Sequence, residues 1–356
     1  MRAPVPRIRE DDVAARKARI PSHDNNGRDA PAVALPYHGA ADLPHVRVES
    51  YNLELRDAEG FIGDKASGRA FRALLDRVRR EAGDVAENGL APARDMSKDE
   101  IDAILTGDDL GAAAVVQGAI EEFAQNLTAV AQRFLRQPSW KDVERIVVGG
   151  GLRQAEFDVE MVPLGYHPDH AGLIGGLQLL DAEVMRDHDG FLAIDIGGTN
   201  LRSGIVTIRH KDRLGDTAKV TQMLHWRHRG ERPGREEALD HLGGMLRELV
   251  DHAARKKLRL APVIAVGCPG LIAGDGWIKR GAQNLPGNWE GEDFNLTEAL
   301  HERLPRLDGR SISVALHNDA VVQGLSEVHR MQDAKRWAAL TIGTGLGNAS
   351  YSNAKA

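Results

Sequence analysis

The chain has 356 residues, enough for two domains with cores of their own, and its 42% hydrophobic and 28% charged residues are ordinary for a soluble globular protein. The net charge of −6, with no Lys/Arg tract, leaves no electrostatic footprint for nucleic acid. Cys268 is the only cysteine, which excludes an internal disulfide and a cysteine-rich zinc site, and no apolar run approaches the roughly 20 residues that cross a bilayer. Met1 to Glu10 lack the apolar segment of a secretory signal. The expectation is a cytoplasmic protein that binds neither nucleic acid nor membrane.

Residues 1–31 are polar, carry Pro4, Pro6 and Pro21, and predict a flexible arm with one short helix at most, across Asp11 to Ile20. From Ala32 to Gly63 short apolar runs between Gly and Pro predict loops and a few strands. Ser67 opens a helix with Phe71, Leu74, Leu75 and Val78 on one face. Ser97 and Glu100 have capping-box spacing ahead of Ile101, Ile104 and Leu105. A longer helix carries Val115, Val116, Ile120, Phe123, Leu127, Val130 and Phe134, a stripe that reads as a core-facing surface. Arg145 to Leu152 is a short buried strand running into Gly149, Gly150 and Gly151, and His170 to Leu180 a helix with small residues for close packing. Strand, turn and strand follow over Phe191 to Ile208, then a third strand at Lys219 to His225 and an amphipathic helix at Glu236 to Ala254. Val263 to Gly267 is a buried strand, Leu296 to Leu304 a helix, Ile312 to Asp319 a strand, and Ala320 to Arg330 the helix behind it. Trp337 begins a last strand that enters a glycine hairpin at Gly343 to Gly347. Strands alternate with helices throughout, so the class is α/β.

Three stretches carry candidate chemistry. In Asp195-Ile-Gly-Gly-Thr-Asn200, Gly197 and Gly198 have no Cβ and can bring backbone N–H groups close to an anion, Thr199 and Asn200 add donors, and Asp195 can hold a magnesium ion or its waters. The same residues make an Asx-stabilised hairpin, and the stretch alone leaves both readings open. Thr341-Ile-Gly-Thr-Gly-Leu-Gly347 is a second such hairpin, offering Thr344 and Gly345. Two are significant because the β- and γ-phosphates of a nucleotide need donors from two sides. Between them Asn318-Asp319 ends a strand. Asp319 could take a proton from an alcohol about to be phosphorylated, or the pair could simply cap the next helix.

Taken in order, these motifs resemble a glucokinase-like sugar kinase of the ROK family (repressors, uncharacterised reading frames and kinases), in the actin-like ATPase superfamily. Asp195 to Asn200, with Arg202 beyond, is similar to the first phosphate motif. Gly267-Cys-Pro-Gly-Leu-Ile272, Gly276-Trp-Ile278 and Asn284-Leu-Pro-Gly-Asn-Trp289 resemble the sugar-side loops. Asn318-Asp319 with Glu327 resembles the catalytic segment, and Thr341 to Gly347 the second phosphate motif. The first half of the chain also resembles the family, out of order. Ile146 to Leu152 is similar to the adenosine motif and Asp169 to Gly176 to the closing helix, both of which usually come late. Gly39 to Val46 stands where the family has a sugar-contacting Gly-Glu-Ile-Gly-His, and Phe61 to Arg69 is similar to the segment that opens the next helix. The order implies a circular permutation, joined across Asp181 to Gly190. An unrelated N-terminal domain on a truncated kinase is the rival.

The resemblance implies two actin-like, ribonuclease H-like lobes around a central cleft. The smaller would span 174–330 and the larger 32–173 with 331–356. It implies ATP-dependent phosphorylation of a hexose hydroxyl, foremost the 6-hydroxyl of glucose, with Asp319 as general base. Asp195 would hold magnesium through water, Gly197, Gly198, Thr199, Asn200, Thr344 and Gly345 would cradle phosphates, and Gly149 to Gly151 would pass beside the adenosine. Asn318, Asn284, Asp42 and His45 would fix sugar hydroxyls. Asp42 replaces the family's Glu, Pro44 a Gly, and Gly63 a second sugar-binding Glu. The three cysteines of the family's zinc site are missing, so zinc is not expected; a homodimer is compatible. The competing readings are a sugar-responsive transcriptional regulator, a non-catalytic sugar-binding protein and an actin-like assembly protein.

Overall fold

Alternation of apolar residues along the strands decides how the chain layers, because successive side chains face opposite sides of a sheet. The computed structural model describes residues 38–82, 92–93, 96, 98–149, 159–209 and 216–353. The arm expected at 1–31, Ser97 of the capping box, and Gly150 and Gly151 lie outside them.

In chain order the strands are β1 Val46–Tyr51, β2 Arg56–Asp57, β3 Gly60–Phe61, β4 Arg145–Gly149, β5 Glu160–Pro163, β6 Gly190–Ile196, β7 Leu201–Thr207, β8 Lys219–Trp226, β9 Leu260–Cys268, β10 Arg306–Leu307, β11 Arg310–Ser311, β12 Ser313–Asn318, β13 Arg336–Ile342 and β14 Leu346–Asn353. The helices are α1 Gly68–Glu81, α2 Lys98–Thr106, α3 Leu110–Leu135, α4 Pro168–Ile174, α5 Ala182–Met185, α6 Arg235–Lys256, α7 Leu296–Arg303 and α8 Asp319–Leu325.

One five-stranded sheet runs β8-β7-β6-β9-β12, with β6–β7 and β7–β8 antiparallel and β6–β9 and β9–β12 parallel. The other runs β1-β14-β13-β4-β5, with β13–β14 and β14–β1 antiparallel and β13–β4 and β4–β5 parallel. Position by position the two sheets have the same ribonuclease H-like pattern, β13 standing where β6 stands and β14 where β7 does. The glycine turns after β6 and after β13 are therefore equivalent turns of two like lobes. In the second sheet the opening hairpin comes from the end of the chain and the other three strands from its first half. The two ends concerned are neighbours, since Val46 pairs with Asn353.

Five helices fill the layers. Leu192, Ile194 and Ile196 of β6 point to an outer core with Leu242, Leu246 and Leu249 of α6 and Leu300 of α7. Phe191 and Ala193 point the other way, to a core shared with Leu173, Val321, Val322 and Leu325 and with Ala339 and Tyr351 of the second sheet. So α4 and α8 lie between the sheets. Ala338 and Leu340 of β13 face Leu127, Val130 and Phe134 of α3 on the far side. Strand β9, between β6 and β12, is buried along its whole length, as expected of a parallel strand covered on both faces.

Two helices are shorter than the sequence predicts, for one reason. The helix expected over His170 to Leu180 is α4 followed by a 3-10 turn, Gly175–Leu179, and the one expected to Arg330 is α8 followed by a 3-10 turn, Val328–Arg330. These segments press together with almost no side chain between them. A Cβ on Gly175 would lie 1.7 Å from Val322 O, and α8 meets β13 as closely, since one on Gly324 would lie 2.8 Å from the Ala339 Cβ. Beyond α8 the fully buried Glu327 receives Gly165 N–H at 2.9 Å and Arg330 Nη1 at 2.7 Å, which fixes the loop leading into α4. The expected lobe division at 173/174 falls inside α4, which packs on β6 and β7 as one piece.

Candidate active site

The two glycine turns meet. Thr199 Oγ1 lies 2.9 Å from Thr344 Oγ1, across 145 residues of sequence. Each turn is braced from behind. His228 Nε2 donates to Gly197 O at 2.9 Å, and Arg229 N–H points to Thr199 O at 3.4 Å. Asn200 Oδ1 lies 2.9 Å from His225 Nε2. On the other side Gly68 N–H donates to Gly343 O at 2.9 Å and Arg69 Nε to Thr344 O at 3.2 Å. Among the described residues nothing comes within 4 Å of the place where a Cβ on Gly345 would stand, which leaves room for a ligand on that face of the turn.

Asp195 ends β6 beside the turn, its side chain 17% exposed. Arg202 of β7 donates to it at 3.1 Å and to Asp169 of α4 at 2.6 Å. The packing around this carboxylate is tight. A Cβ on Gly172 would come within 2.8 Å of Asp195 Cγ, so α4 approaches it only because residue 172 is glycine. Burial pushes the Asp195 carboxyl above the usual carboxylate range and the Asp169 charge adds to this, while Arg202 opposes both.

Asp319 is the first residue of α8, where β12 ends beside β9. Its Oδ1 accepts Ala320 N–H at 2.9 Å. Removal from water, and then the charge of Asp195, push its carboxyl up to about 7, so near neutral pH it can both release and accept a proton. A cation delivered next to Asp195 would ease both carboxylates into their charged forms. The donor set thus fits a magnesium ion arriving with phosphates, with Asp195 as its anchor.

Asn318 is 2% exposed, and its side chain is committed to the protein. Its Oδ1 accepts Ala320 N–H at 3.0 Å and Val321 N–H at 3.3 Å, and its Nδ2 donates to Gly270 O at 3.0 Å. It is the N-cap of α8, the role that such a residue at a strand-to-helix junction most often takes. Asn284 is exposed and lies against the first turn, 2.8 Å from where a Cβ on Gly198 would be. Gly149 is set against Gln323 of α8, four residues along from Asp319. His45 is half-buried just before β1. Asp42 is 77% exposed and paired with Arg47 at 2.8 Å. Asp169, Gly172, His225 and His228 have parts in the site that the sequence motifs did not assign to them. Each acts through a partner distant in the chain, and the only local signal was the glycine in Asp169-His-Ala-Gly172.

The first-turn hairpin, the capped Asp319 and the second turn all fall in one continuous stretch that matches a known family. Residues 191–356 match the ROK family. The match covers just under half of the chain. Among solved structures the chain is similar to a Listeria monocytogenes protein proposed to be an N-acetylmannosamine kinase, at 27% identity over 46% of this chain and 47% of that one, with a TM-score of 0.35. It is also similar to a ROK-family glucokinase from Streptomyces griseus in complex with glucose and AMPPNP, at 19% identity over 47% and 45%, TM-score 0.35. A ROK-family transcriptional regulator homologous to the E. coli MLC protein matches at 20% identity over 46% and 36%, TM-score 0.33. The chain spans less than half the length of each of these structures. Among curated proteins none matches. No single helix among the described residues is long and apolar enough to cross a membrane.

Proposed function

We propose that the protein transfers the γ-phosphoryl group of ATP to a hexose hydroxyl, the 6-hydroxyl of glucose being the leading candidate. The observation that carries this reading is the meeting of Thr199 and Thr344 beside a carboxylate, Asp319, held near pKa 7. Hydroxyl and backbone N–H donors on two facing turns suit the phosphate chain of a nucleotide. A carboxylate that titrates near neutrality suits removal of a proton from an alcohol.

In this reading Asp319 accepts the proton as the sugar oxygen attacks the γ-phosphorus, and ADP leaves. Gly197, Gly198, Thr199, Asn200, Thr344 and Gly345 receive the phosphates, with Gly149 to Gly151 toward the adenosine. Bound magnesium would neutralise phosphate charge, and Asp195, oriented by Arg202, would hold it through water. Asn284 and His45 are the proposed direct sugar contacts. Asn318, as the cap of α8, serves by aiming Asp319. Asp42 would have to leave Arg47 to reach a sugar.

The chain order supports a further part of the reading, a circular permutation of the lobe built on β13. A chain reordered to begin at residue 187, run to 353 and pass through a short loop into 38–186 is expected to fold with the stability of the natural order. A large loss of thermal stability would count against the permutation.

The kinase reading is tested by ADP release with ATP and magnesium across a panel of hexoses and N-acetylated hexoses. Stimulation by at least one sugar, with glucose foremost, is expected. Sugar binding without stimulation by any member would favour a regulator or a non-catalytic sugar-binding protein.

A further inference from the structure

His317, the residue before the Asn318–Asp319 turn, is 1% exposed, and both of its ring nitrogens are engaged. Asn318 N–H donates to Nδ1 at 2.7 Å, so Nδ1 carries a lone pair. Nε2 then bears the hydrogen of the neutral ring, and it donates to Ala40 O at 3.1 Å. One tautomer satisfies both bonds. Burial favours that neutral form and pulls the ring's pKa down to about 4.

Ala40 belongs to a loop that crosses from the β1 sheet to the end of β12. Gly39 N–H donates to Leu316 O at 2.9 Å, and Val48 N–H donates to Ala41 O at 2.7 Å. Gly39 has a left-handed φ of +60°, and a Cβ there would lie 2.7 Å from Ile272 O. The loop therefore lies against backbone on two sides, at residues 316 and 272. The edge of Tyr51 closes on the His317 ring, with centroids 5.1 Å apart, and its hydroxyl donates to Ile272 O at 3.3 Å. One imidazole thus joins the 39–41 loop of one lobe to the turn that carries Asp319 in the other. The same loop leads to His45.

We propose that His317 is a positioning residue for sugar binding: its Nε2–H bond to Ala40 holds the 39–45 segment in register with Asp319. This rests on the kinase reading. The tie acts on the sugar side of the site, and the two glycine turns that would hold the nucleotide make no bond to it. Loosening it should weaken sugar binding and leave nucleotide binding alone.

The two bonds of the ring can be separated by substitution. An Asn at 317 places an acceptor near Nδ1 and loses the reach to Ala40, whereas a Gln places a donor near Nε2. His317→Phe keeps the volume and loses both bonds. H317N and H317F are expected to raise the KM for the best sugar about tenfold with the KM for ATP within about twofold. H317Q should restore the sugar KM to within about threefold of the wild type. Hydrogen exchange provides a readout independent of turnover. The Gly39 and Val48 amides should exchange at least about tenfold faster in H317N and near the wild-type rate in H317Q. If sugar KM stays unchanged in H317N, or the sugar and ATP constants rise together, the inference is overturned while the kinase reading stands. A wild type with no sugar-dependent ADP release overturns both, and the exchange rates then report only whether the loop tie exists.

Discussion

Asp319→Asn is expected to lower kcat with the best sugar by about 10²- to 10⁴-fold, the usual contribution of a positioned general base, with the sugar KM nearly unchanged. Asn keeps the shape and can still accept Ala320 N–H, so the loss isolates the proton transfer. The pH profile gives a second signature. With its carboxyl held at about 7, Asp319 is protonated and inactive as a base on the acid side. The wild-type kcat/KM for ATP, which reports the free protein, should fall about tenfold per unit below that value, and the residual activity of D319N should lack that limb. The sign of the stability effect is opposite. A carboxyl whose folded pKa is raised from 3.8 to about 7 binds more protons in the folded state between those values, so its contribution to stability falls as pH rises through that window. D319N carries no such charge. Its melting temperature relative to wild type should be near zero difference at pH 4 and higher by pH 8. Turnover of D319N near the wild-type rate would remove Asp319 from the chemistry.

Gly175→Ala is expected to be the most damaging single methyl in the described structure. Its Cβ would lie 1.7 Å from Val322 O and 2.8 Å from Val322 C, contacts with the backbone of α8 that no rotamer can relieve. The 3-10 turn and α8 would have to part, and α8 carries Asp319 at its start. Overpacking of a core ordinarily costs about 1–3 kcal/mol, and a backbone collision of this depth should meet or exceed the upper figure. Urea denaturation would measure it, with Gly244→Ala as the control. No described atom lies within 4 Å of that Cβ, and Gly244 is inside α6, so the alanine should be neutral or stabilise by up to about 1 kcal/mol. If G175A unfolds at the wild-type urea concentration, α4 and α8 do not pack as closely as described.

Much of this site could be read along the chain, because its parts are local. A strand end, a carboxylate and two glycines occupy near-consecutive positions in Asp195 to Asn200, and in Thr341 to Gly347 a strand end runs directly into a turn with three glycines. Ser67 was legible as the start of α1 for a similar reason, since a cap bonds an N–H only three residues away. What could not be read are contacts between distant residues. Arg202 between Asp195 and Asp169, His228 on Gly197 and His317 on Ala40 each depend on which strands lie side by side. The role of Asn318 shows the limit in the other direction. Its sequence position suited both a sugar ligand and a cap, and only the placement of Gly270 and the α8 amides commits its oxygen and one amide hydrogen to the protein.

By itself, then, the sequence determined the α/β class, the glycine turns and the identity of the carboxylates, since backbone freedom, hydrophobic alternation and side-chain chemistry belong to a residue and its near neighbours. The tertiary structure decided that two turns 145 residues apart touch, that the β13 hairpin from the chain's end completes a sheet begun in its first half, and that Asp319 titrates near neutrality. Proximity and desolvation are properties of the packed whole, and no local run of residues contains them.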